Sequence, residues 1–82
     1  MEPTPRHYIA GEVRAEMARQ GKQHREVGEV LARVRGRILT RQAVGRKMAG
    51  LASFTTDELI VLAQWLNVPV AQFLPDTLDV AS

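Results

Sequence analysis

The sequence predicts an all-α fold, a compact bundle of about five short helices. Apolar residues recur at helical spacing through most of the chain. Hydroxyl residues and glycines punctuate these stretches where helix starts and stops belong. No alternating pattern of a strand, no repeat and no low-complexity run interrupts them. At 82 residues the chain has room for one small domain, divided as a flexible arm at 1–7, a helical domain at 8–75 and a tail at 76–82.

Pro3 and Pro5 mark residues 1–7 as mobile, with Arg6 and His7 available as an arm. The first helix is expected from Tyr8 to Gln20, where Ile9, Val13 and Met17 share one face and Gly21 stops it. Glu16 and Arg19 are placed to pair along it. The second helix starts near Gln23 or His24 and ends near Arg35, with Gly36 beyond. Val27, Val30, Leu31 and Val34 form its buried stripe. Gly28 sits inside that helix at a cost of up to about 1 kcal/mol against alanine, which points to close approach of another helix.

Thr40 opens a third, basic helix that closes before Gly50. Ala43, Val44 and Met48 form its narrow apolar side. Arg41, Gln42, Gly45 and Arg46 fall largely off it. Leu51, Ala52 and Ser53 read as a loop. Thr55 and Glu58 then form a capping box, with Phe54 set to pack on Leu59. Leu59, Leu62, Ala63 and Leu66 make the buried side of the fourth helix, with Trp65 beside it and Asn67 as its carboxyl cap. Pro69 begins a short last helix that buries Val70, Phe73 and Leu74 and ends at Pro75.

Composition narrows the function. There is no cysteine, so no disulfide or thiolate chemistry is available. The two histidines, His7 and His24, belong to no metal motif, and no glycine-rich phosphate loop occurs. No catalytic constellation, metal or cofactor is expected, and the chain is read as a non-enzyme. No apolar run reaches the length of a membrane span, and the first residues lack the pattern of a secretory signal. The expected setting is therefore the cytoplasm. Net charge is only +2, but its placement is one-sided. Arg33, Arg35, Arg37, Arg41, Arg46 and Lys47 lie between Val30 and Thr56 with no acid among them, the footprint of a polyanion binder.

Val27-Gly28-x-x-Leu31, then Thr40-x-x-x-Val44-Gly45-x-x-x-x-Gly50, then Leu62-Ala63-x-x-Leu66-Asn67-Val68-Pro69-Val70-x-x-Phe73 stand in an order and spacing that resemble one family. It is the helix-turn-helix domain of phage repressors and Cro proteins, the Xre-type or lambda-repressor-like domains. The resemblance covers roughly Ile9 to Pro75. Two features depart from it. The run Arg33-Val34-Arg35-Gly36-Arg37-Ile38 lengthens the second helix or the turn after it. His24, with Gln23 before it, occupies the place of the family's phosphate-binding glutamine, and Met48 that of an acid near the end of the recognition helix.

The resemblance implies sequence-specific binding to a double-stranded DNA operator, with the helix at about 41–49 in the major groove. Arg41, Gln42, Gly45 and Arg46 are then the base-contact candidates, since Arg pairs bidentately with guanine and Gln with adenine. Gln23, His24, Arg33, Arg35, Arg37, Thr40 and Lys47 are the phosphate-contact candidates. A homodimer through the last helix and the tail would reach two half-sites about 34 Å apart. The alternative is an antitoxin-like or regulatory module that uses the same fold to hold a protein, with Trp65, Leu78 and Val80 as its contact residues.

Overall fold

The computed structural model describes residues 4–75. The chain forms four α-helices followed by one turn of 3-10 helix. These are α1 (Pro5–Gln20), α2 (His24–Arg35), α3 (Arg41–Met48), α4 (Thr56–Leu66) and the 3-10 turn at Val70–Phe73. Among the described residues there is no strand. Where a fifth helix is expected, the segment is too short for one. Pro69 stands ahead of it with an extended backbone, and the chain is extended again at Leu74.

The helix boundaries follow from local chemistry. α1 starts earlier than expected because Thr4 caps it, its hydroxyl accepting from the His7 N–H, and Pro5 fits the first turn. Residues 5–7 of the expected arm thus form the first turn of α1, and residues 1–3 lie outside the described residues. The Thr40 hydroxyl accepts from the Ala43 N–H at 3.1 Å, and the Thr55 hydroxyl from the Glu58 N–H at 3.1 Å. Asn67 closes α4 in the left-handed conformation, which Asn tolerates better than most side chains.

One apolar core joins all the elements. Val13 and Met17 of α1, Val27, Val30 and Leu31 of α2, Val44 and Met48 of α3, Leu59, Leu62 and Leu66 of α4, and the wholly buried Phe73 belong to one cluster. Phe54, Trp65 and Val70 pack at its margin. Gly28 lies against α3, where an added Cβ would sit 3.5 Å from Val44 Cγ2, so the close approach expected there is present.

Two buried acids tie the elements together. Glu16 of α1 accepts from Gln20 at 2.8 Å, from Arg19 at 2.8 Å and from Gln72 of the 3-10 turn at 2.7 Å. Gln20 also donates to the Leu66 carbonyl at the end of α4. Those three donors, Gln20 foremost, hold the Glu16 carboxyl below its ordinary value.

Glu58 has no solvent exposure. Its Oε2 accepts from Arg35 at 2.9 Å. Its Oε1 accepts from Lys47 at 3.0 Å and from the Thr55 N–H at 2.8 Å. Burial pushes this carboxyl up, but the Thr55 N–H, Lys47 and Arg35 together outweigh it, and the net shift is downward.

A folded-state value below the ordinary 4.5 means that Glu58 stabilises the fold above that pH and ceases to as pH falls through the lowered value. Glu58→Gln removes both ion pairs and leaves the nearly buried Lys47 without its partner. It is expected to cost about 3 kcal/mol. Thermal melts should show a fall of more than about 10 °C at pH 7. The difference from wild type should narrow as pH drops below 4.5.

Candidate nucleic-acid interface

α3 is short, and it is held on three sides. Thr40 caps its start. Val44 and Met48 anchor its inner side in the core. At its carboxyl end the Arg14 guanidinium, from α1, donates to the Met48 carbonyl, and the Lys47 ammonium donates to the Ser53 carbonyl at 2.8 Å. Cations at that end also suit the negative pole of the helix dipole. Gly50, just past the helix, has φ +81°, and a Cβ there would fall 2.7 Å from His7 Cδ2. The start of α1 therefore rests on the end of α3.

The 3.6-residue period sorts this helix cleanly. Ala43, Val44, Lys47 and Met48 turn inward, while Arg41, Gln42, Gly45, Arg46 and Ala49 are exposed. The four residues expected at base edges thus share one free surface. Gly45 has nothing within 4 Å of the place its Cβ would occupy, so it is an opening in that surface and not a packing site.

The expected phosphate contacts divide into two groups. Gln23, His24, Arg33, Arg37 and Thr40 are exposed. Arg33 and Arg37 form no ion pair among the described residues. Arg35 and Lys47 differ from these in being paired within the fold, although Arg35 remains exposed. Both point at the buried Glu58, and the Lys47 side chain is only 11% exposed. Removing the buried carboxylate would leave the nearly buried Lys47 without its partner, a strongly destabilising change.

An open cleft of about 410 Å³ runs between the start of α2 and the start of α3. Gly28, Leu39 and Val44 line it, with Ile38 and Gly45 at its edge and His24, Arg25 and Arg41 around it. None of its lining residues is acidic. Ile38 is 74% exposed, the largest exposure among the big apolar side chains described. Arg25 and Ile38 were not legible as site residues. Arg25 sits among glutamates in sequence, and Ile38 lies in a connection whose path no periodicity fixes.

Other expected surfaces are less available. Trp65 is partly buried, and the Lys22 ammonium lies 5.4 Å from its ring centre. The 3-10 turn buries Phe73 and bonds to α1 through Gln72, while Ala71 and Gln72 stay exposed. Leu78 and Val80 lie outside the described residues. Among the described residues no group of three His, Asp or Glu gathers as a metal site, and no helix is long and apolar enough to cross a membrane. No family model, curated protein or solved structure matches this chain.

The two glycines flanking the basic surface should respond oppositely to alanine. Gly45→Ala fills open space in a helix and is expected to stabilise by about 0.5–1 kcal/mol. Gly50→Ala forces a Cβ into the left-handed region and onto His7 and should destabilise by more than about 1 kcal/mol. Urea titrations of the two variants check both signs.

Proposed function

We propose that the chain is a sequence-specific double-stranded DNA-binding regulator of the phage repressor and Cro type. The observation that carries this reading is the free face of α3. Two arginines and a glutamine stand on one side of a helix whose opposite side is locked into the core, with small residues between them.

In this reading α3 lies in the major groove. Its eight residues span about 12 Å, close to the groove's width. Arg41 and Arg46 reach guanine edges and Gln42 an adenine edge. Gly45 and Ala49 add almost no bulk, which lets the helix backbone approach the bases. Arg33 and Arg37, with His24, Gln23 and Arg25 at the start of α2, meet phosphates on either side and set the register without specifying sequence. Lys47 and Arg35 aim the helix through Glu58 and do not touch DNA. A surface this small reads few base pairs, so two copies on a pair of half-sites are the natural assembly.

A protein-holding module has weaker support, because Trp65, its expected contact residue among those described, is partly buried with the Lys22 ammonium 5.4 Å from its ring centre.

Selection from a random duplex pool should enrich one consensus, palindromic if two copies bind. On that site Arg41→Ala and Arg46→Ala are each expected to lose about 1–3 kcal/mol and to relax base preference. Arg33→Ala and Arg37→Ala should each weaken binding alike on all sequences and lower the slope of log affinity against log salt by about one. Enrichment of no sequence, with affinity insensitive to salt, would overturn the reading.

A further inference from the structure

We infer that the cleft between α2 and α3 receives the 5-methyl group of a thymine, making Ile38 a specificity-determining residue. This rests on the DNA-binding reading and extends it to a base that Arg and Gln do not select.

Exposing a large apolar side chain to water has a cost, and the core offers Ile38 no place. It stands 74% exposed on the connection between α2 and α3. The cleft beside it has an apolar floor of Leu39, Val44 and the bare Gly28, while Arg25 and Arg41 supply positive charge at its edge. Apolar floor, cationic edge and no carboxylate match one feature of the major groove. The thymine methyl is the apolar group presented there, and it sits beside a chain of phosphates. An acidic or strongly polar occupant would waste the floor, and a neutral apolar one would leave the arginines unused.

Arg41 belongs to both surfaces, lining the cleft and standing on the free face of α3. A guanine bound by Arg41 and a thymine against Ile38 would therefore be near neighbours in the site. Gly45, also shared, keeps the passage between them open.

The full chain is first used to select its site from random duplexes. Each thymine of that site is then replaced, one at a time, by deoxyuridine, which lacks only the methyl. One position per half-site should weaken binding about fourfold, the worth of one buried methyl-sized group. Ile38→Ala, exposed and therefore expected to fold normally, should show a smaller difference between the thymine and uracil duplexes, since Leu39 and Val44 remain. Placing 5-methylcytosine for cytosine at that position should recover part of the wild-type affinity and less for the variant. If every uracil duplex binds as well as its parent, the inference fails while DNA binding stands. It fails too if a uracil effect persists undiminished in Ile38→Ala. If no duplex is selected at all, the DNA-binding reading itself falls.

Discussion

The carboxylate of Glu58 is taken wholly out of water, and everything near it is arranged to make that tolerable. An unpaired buried charge would neutralise itself or unfold the domain. Here the acid is met by a backbone N–H from its own helix cap and by two cations that arrive from different helices, Arg35 from α2 and Lys47 from α3. Three elements that share only apolar contacts elsewhere are fixed in relative rotation at this point. Hydrophobic packing is non-directional, and it would allow α3 to turn somewhat about its axis. The ion pair to Lys47 does not, so the free face of α3 is set by a group on its hidden side.

This arrangement also changes how the positive charge is counted. The six cations between Val30 and Thr56 look equivalent along the chain. In space Arg35 and Lys47 are paired with Glu58, while Arg33, Arg37, Arg41 and Arg46 form no ion pair among the described residues. The buried acid that meets both cations comes from just beyond the basic segment. The domain thus keeps its electrostatic face narrow, with Arg41 and Arg46 on α3 and Arg33 and Arg37 beside it. Glu16 plays a similar part on the other side of the molecule, where it fastens the 3-10 turn and the end of α4 to α1.

Much of the helical plan was legible because its signals are local. Thr40, the Thr55–Glu58 box, Gly21, Gly36 and Asn67 all act within one turn of themselves and end helices where their chemistry requires. Two boundaries were not legible. Pro3 and Pro5 resemble a loose terminus until Thr4 is seen to cap a helix with Pro5 in its first turn. The segment after Pro69 has helical apolar spacing but extends for a single turn. Among site residues, the outward set of α3 followed from the 3.6-residue period. The fate of Lys47 was half visible, since the same period places it with Ala43 and Val44. That of Arg35 was not, because its partner lies 23 residues away and only the fold brings them together. Ile38 and the cleft depend on the path of a connection, which side-chain patterns do not encode.

The seat of His7 on Gly50 gives the molecule an unexpected geometry of attachment. Anything joined ahead of Thr4 enters at the carboxyl end of α3, next to the Met48 carbonyl that Arg14 holds. Mechanical load or crowding from a preceding segment is therefore delivered to one end of that helix. A fusion partner placed there would bear directly on the end of α3, whereas the same partner placed after Pro75 would reach that helix only through the 3-10 turn and α1.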